Sequence, residues 1–297
     1  ARHSASVFTT LSMPDPSPYR GKILYGPPSV PIFKGQRLRR QTGKDHKMGI
    51  KGKGRYRARF AETSADLDAA QRLRYRAFIA GTGAAPRPDN KETDDFDARC
   101  RHVLIEKART GRVVATFRLL PLVSGSEIGG CYSAQYYDLE ALRTFERPMV
   151  EMGRFCIEPG VTDPDVLRAA WAAMTAFVDG EGVELLFGCS SFHGTDAGEY
   201  ADAFAMLAER HLAPRRWLPR IKAPNVFRFA ERLRRTPDRA KALKSMPPLL
   251  RSYLTMGGWV SDHAVVDRDL NTLHVFTGLE IRAIPPARAR ALRLMAG

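Results

Sequence analysis

From Arg55 onward, apolar runs of strand length alternate with longer segments of helical spacing, and this succession limits the possible fold more than any other property of the chain. YRARFA alternates as a strand does. LDAAQRLRYRAFI follows with Leu67, Ala70, Leu73 and Phe78 on one face, and Thr63 or Ser64 is placed to cap it. RHVLIEKARTGRVVATFRLLP predicts a hairpin whose two apolar strands join at ARTG. A short helical stretch around YDLEALRTF leads into a further strand, VEMGRFCI. DPDVLRAAWAAMTAFVDG predicts a helix capped by Asp163, with Pro164 in its first turn and Gly180 just past its end. GVELLFGC then reads as a strand, AGEYADAFAMLAER as a helix, and PPLLRSYLTM as a helix stopped by Gly257 and Gly258. AVVD and TLHVFTGLEI close the series as strands. The order predicts one α/β domain, a mixed sheet with helices on both faces.

VEMGRFCI is apolar except for Glu151 and Arg154. Side chains three apart point to opposite faces of a regular strand, and Gly153 between them marks a place for a bulge that turns both to one side. Read alone, the two charges are either a structural ion pair in a core strand or the charged part of a reaction site.

With 297 residues, 44% of them hydrophobic, the chain can bury one large core or two modest ones. Its charge is segregated. Residues 1–60 hold 14 Lys and Arg against 2 acids, residues 61–209 hold 15 against 24, and residues 210–244 hold 12 against 2. An acidic middle between two basic blocks suits an anionic partner, whether a membrane surface, an acidic protein or nucleic acid. Residues 1–55, with six Pro and seven Gly, read as a basic arm laid over the domain or a partner, and the domain itself spans 56–297 with a basic insertion at about 210–244. The four cysteines are widely spaced with no CxxC, so reduced thiols in the cytosol are expected and no metal site. The first residues contain no apolar run of a secretory signal, and VLRAAWAAMTAFV is too short to span a bilayer and carries Arg168. A cytoplasmic protein, free or peripheral on the inner membrane, is expected.

The element order resembles that of the GNAT-like acyltransferases, in which a bulged central strand parts from the next and admits a pantetheine arm. The glycine-rich phosphate loop usual there is missing, since CIEPGVTDPDV supplies only Gly160, which counts against ordinary acetyl-coenzyme A chemistry. A narrower likeness is carried by RLRYRAF, DDFDARCRHVLI, ATFRLLP and EMGRFCI, followed by LLFGCSSFHGTD and MPPLLRSYLTMGGWVSDHAVVDRD. These six pieces, in this order, resemble the L-ornithine Nα-acyltransferases, which are similar to the acyl-homoserine-lactone synthases.

The resemblance implies a mainly antiparallel mixed sheet and transfer of a long, 3-hydroxylated acyl chain from acyl carrier protein to the α-amine of L-ornithine. No cofactor of the enzyme's own is implied, because 4′-phosphopantetheine arrives on the donor. It implies that Glu151 accepts the amine's proton or orients it, and that Arg154 fixes Glu151 and nearby carboxylates. Arg74, Asp94, Asp97 and Arg118 would join them around the cleft, the two aspartates suiting a cationic acceptor, while Phe78 lines the acyl channel or simply fills core. His193 and Arg101 depart from the family pattern, which leaves the acceptor open to glutamine or another amino acid. Two aromatics among arginines in VFRFAERLRR suit an anionic membrane interface. A module binding nucleic acid through RLRR and KGKGRYRARF is the rival of a different class. It leaves the six ordered motifs unexplained, so no nucleic-acid partner is expected.

Overall fold

The structure, a computed structural model, describes residues 54–296, and the arm read over 1–55 lies outside them except for its last two residues. The described part opens with β1 (Tyr56–Phe60), α1 (Ser64–Phe78), β2 (Arg101–Lys107), β3 (Val113–Leu122), β4 (Tyr137–Asp138) and β5 (Met149–Ile157). It continues with α2 (Pro164–Glu181), β6 (Leu185–His193), α3 (Ala201–Arg210), β7 (Arg220–Ile221), β8 (Val226–Phe227) and α4 (Phe229–Arg232). The last elements are α5 (Arg239–Ser245), α6 (Pro248–Thr255), β9 (Trp259–Val260), β10 (Ala264–Asp267), β11 (Thr272–Glu280) and α7 (Pro286–Ala296). The main sheet runs β1-β2-β3-β5-β6-β11-β10-β8, with β9 beside β11; β4 and β7 form a separate ribbon. Apart from a single parallel bridge between Leu212 and Val260, only β5 and β6 pair in parallel among the described strands. Their connection is α2, as a parallel crossover requires.

The period of two along β3 sorts its neighbours. Phe117 and Leu119 enter the core shared with Val166, Met174 and Phe177 of α2, while Arg118 turns to the other face, toward α1. Helix α1 begins in a capping box: the Thr63 hydroxyl accepts from the Asp66 N–H, and the Asp66 carboxylate accepts from the Thr63 N–H. Helix α2 does not stop at Gly180 but runs two residues further. Gly182 adopts the left-handed conformation at φ 64° and returns its N–H to the Val178 carbonyl, the geometry that makes a glycine the natural stop.

The basic block corrects a second expectation. VFRFAERLRR turns Phe229 inward: it is fully buried, and Phe227, partly buried, packs with it against Phe204 of α3. Phe229, committed to the core, is not available to enter a lipid interface. Strand β8 and helices α5 and α7 were not foreseen. The first is two residues long, and in the helices charge nearly hides the apolar face: α7 buries only Leu292 and ties Arg293 to Asp179 of α2. No helix among the described residues is long and apolar enough to cross a membrane.

Candidate active site

The two parallel strands are joined only over Met149, Val150 and Glu151 opposite Leu185, Leu186 and Phe187. Beyond that they part. On its other side β5 keeps its ladder with β3, but two residues, Arg154 and Phe155, stand against Phe117 alone. Arg154 occupies the bulge with φ 54°, a conformation rare outside glycine. The bulge therefore falls one residue after the Gly153 that the sequence marked. At the fork Gly188 lies so near β5 that a Cβ there would sit 2.2 Å from the Met152 carbonyl oxygen, so only glycine permits this approach.

The gap opened by the fork is a cleft of about 420 Å³. Glu151, Arg154 and Cys189 stand at the fork, Phe78 and Leu249 form apolar wall, and Asp267 also lines it. A smaller hollow of about 220 Å³ adjoins it, sharing Tyr132, Arg154, Asp267 and Leu270.

Glu151 is buried, 4% exposed, and its carboxylate is held by three donors from one turn. The Tyr132 N–H donates to Oε2 at 2.8 Å, and the Ser133 N–H and hydroxyl donate to Oε1 at 2.7 and 2.6 Å. Burial raises its pKa above the ordinary glutamate value even against those three donors. Among the described residues Arg154 forms no hydrogen bond or ion pair with Glu151, contrary to the expectation that it fixes that carboxylate. Its Nε and Nη2 donate instead to Glu92 at 3.0 Å and Asp94 at 2.9 Å. The bulge separates the pair: one charge faces the cleft as a carboxylate held by backbone, the other closes a network.

That network is a ring. Arg154 binds Glu92 and Asp94; Glu92 accepts from Arg74 at 2.5 Å; Arg74 donates to Asp97 at 2.7 Å; Asp97 accepts from Arg118 at 2.6 Å; and Arg118 returns to Asp94. Three guanidinium groups alternate with three carboxylates, so the ring is neutral and each charge has two opposite neighbours. Burial pushes the Asp97 pKa up, but the bonded guanidinium of Arg74 and the charge of Arg118 win and hold it at about 2. Arg74, Arg118 and Asp97 are 1%, 2% and 8% exposed and do not line the cleft. Asp94 reaches the smaller hollow only. The aspartates read as a greeting for a cationic acceptor are thus already matched by arginines. Glu92, only two residues ahead of Asp94, completes the ring and was missed.

Other residues settle differently. Phe78 lines the cleft, half-buried. His193 lines it as well, whereas Arg101 lies across the Phe60 ring at 3.8 Å and pairs with Glu181, away from the cleft. Burial lifts the Cys189 thiol to about 12, which leaves no thiolate to act as nucleophile. The Tyr200 hydroxyl donates to the His193 carbonyl at 2.5 Å. At the N-terminus of α2, Asp163 caps the Asp165 N–H and both carboxylates bind Arg55, so the helix end is already occupied by anions.

A parallel strand pair that parts at a bulge, with a buried carboxylate at the fork, defines an N-acyltransferase of the GNAT class. The family model described as "Acetyltransferase (GNAT) domain" matches residues 73–172, which run from α1 through the fork into α2. The L-ornithine N(alpha)-acyltransferase of Rhodobacter capsulatus is 37% identical over 238 residues, 77% of this chain and 91% of that protein. That of Brucella abortus is 30% identical over 244 residues, 78% of this chain and 86% of that protein. Among solved structures, FeeM, an N-acyl amino acid synthase from uncultured soil microbes, superposes with a TM-score of 0.44 at 11% identity, covering 82% of this chain and 97% of that one. The chain belongs to the L-ornithine N(alpha)-acyltransferase family.

Proposed function

We propose that the protein transfers a long-chain, 3-hydroxylated acyl group from acyl carrier protein to the α-amine of L-ornithine. The observation that carries this reading is the buried Glu151 carboxylate at the fork of β5 and β6, facing a cleft with one apolar wall. An α-ammonium is mostly protonated at neutral pH, so the nucleophile has to lose a proton first. Glu151, its basicity raised by burial, takes that proton directly or through one water. The free amine attacks the thioester carbonyl, and the oxygen of the tetrahedral intermediate takes donors from the β5 backbone past Glu151, where the ladder to β6 has ended. Collapse breaks the carbon–sulfur bond, the departing thiolate takes the proton that Glu151 holds, and the freed Glu151 carboxylate accepts the second proton from the nitrogen and passes it to water. The products are an amide, a free thiol and one proton released to solvent, with no net change at the enzyme.

Phe78 and Leu249 give the acyl chain and the thin pantetheine arm an apolar surface. The occupied N-terminus of α2 disfavours a coenzyme A pyrophosphate at that place and so supports a carrier-protein donor. The test is a competition assay with 3-hydroxypalmitoyl carrier protein and an equal mixture of ornithine, lysine and glutamine, read by mass spectrometry. Acyl-ornithine is the expected dominant product. A dominant acyl-glutamine moves the acceptor and keeps the chemistry. Faster turnover with the coenzyme A thioester overturns the donor.

A further inference from the structure

Each carboxylate of the ring is matched to guanidinium groups, and Glu151 is held by three donors. One buried carboxylate on the cleft remains. Asp267, the last residue of β10, is 6% exposed and lines both the cleft and the adjoining hollow. Its Oδ1 accepts the backbone N–H groups of Asp269 and Leu270 at 3.0 and 3.1 Å, which fixes the turn into β11. Among the described residues, its Oδ2 has no hydrogen bond and no cationic side chain pairs with it. Arg154 stands on the same two spaces but spends its guanidinium on Glu92 and Asp94. The neighbouring His274 ring, buried on the cleft, is kept neutral by that burial, with its pKa pushed down to about 3. It brings no counterion either.

A buried carboxylate without a cation is expensive, and ordinary folds neutralise one with Lys or Arg. Here the matching charge is left to the ligand. We propose that Asp267 is the specificity residue for the acceptor, its free oxygen receiving the side-chain ammonium of a diamino acid whose α-amine faces Glu151. The division of labour follows from chemistry. The attacking amine must be deprotonated, so a carboxylate serving as a standing counterion cannot be its partner. A spectator ammonium stays charged throughout and suits one. This inference rests on the amine-acylation reading above and names what selects the acceptor.

The test uses the purified full chain and three acceptors: ornithine; norvaline, which has the same carbon skeleton without the ammonium; and 2,4-diaminobutyrate, one methylene shorter. Wild type is expected to favour ornithine over norvaline by about 10,000-fold in kcat/KM, the scale on which a site built for a polar group rejects an analogue lacking it. Asp267→Asn keeps the oxygen that accepts from Asp269 and Leu270, so the turn survives. It is expected to bring the two acceptors within about 3-fold of each other, with the loss falling on ornithine. Asp267→Glu advances the carboxylate by one methylene and is expected to shift preference toward 2,4-diaminobutyrate. If Asp267→Asn slows ornithine and norvaline equally, or Asp267→Glu leaves the order of chain lengths unchanged, the assignment is overturned. If wild type itself favours norvaline, the ornithine reading has failed first.

Discussion

At the scale of the residue, Glu151 decides the chemistry. Glu151→Gln keeps the shape and one accepting oxygen, enough for the Ser133 N–H and hydroxyl, but its amide nitrogen cannot accept from the Tyr132 N–H and the side chain cannot take a proton. The variant is expected to lower kcat by about 1,000-fold, the range for a lost general base, with the fold retained by circular dichroism and a modestly lowered melting temperature from the one lost hydrogen bond. Near-normal turnover would remove Glu151 from the mechanism. The sign of the pH dependence follows from burial. The base works deprotonated and its pKa is raised, so in wild type the acid limb of kcat/KM lies at higher pH than an ordinary glutamate would give. Phe78 continues the apolar face of its helix and is singled out only by the family resemblance, whereas Glu151 and Arg154 could be picked out of the sequence because charges break the apolar run EMGRFCI. Ser133 and Asp267 could not. Ser133 lies in a turn without periodicity, and Asp267 looks like any aspartate that ends a strand. Their roles exist only once the chain brings residues far apart in sequence to one cleft.

At the scale of the element, the ring of charges joins α1 through Arg74, the following loop through Glu92, Asp94 and Asp97, β3 through Arg118 and the β5 bulge through Arg154. This explains how a residue with φ 54° is held in the strand that carries Glu151. Removing one member of a buried pair strands its partners, at a cost of about 3–5 kcal/mol. Asp97→Asn is therefore expected to lower the melting temperature clearly, while the KM values for donor and acceptor move together at a temperature where the variant is folded. A selective rise in the acceptor KM would instead put Asp97 in the binding site. The strands and long helices were readable because their periods are strict. The bulge's position was not, because Gly153 satisfies the local rule for a bulge while the register with β3 and the ring together place it at Arg154. The same limit hid the buried face of VFRFAERLRR, since an amphipathic segment looks alike whether its apolar side meets a core or a membrane.

At the scale of the whole molecule, charge segregation and topology meet beside the cleft. Lys222 of the basic block donates to the Ala134 carbonyl at 2.6 Å, one residue from the Ser133 that holds Glu151. Strand β8 of the same block pairs with β10, which ends at Asp267. The block thus flanks the site, and several of its arginines are internally spent: Arg216 binds Glu280, Arg220 binds Asp138 and Arg235 binds Asp202. Arg215 and Arg234 are exposed and form no ion pair among the described residues. If an acidic carrier protein docks here, exposed charges like these speed encounter and are screened by salt over about 8 Å at physiological strength. Raising salt is then expected to increase KM for the acyl carrier protein by about 10-fold while leaving turnover of a small acyl-pantetheine thioester unchanged. Charge reversal at Arg215 and Arg234 together should reproduce that rise at low salt and flatten the salt dependence. Equal salt sensitivity for both donors would place the effect in the chemistry, and an unaltered KM in the reversed variant would move the docking surface off the 210–244 block.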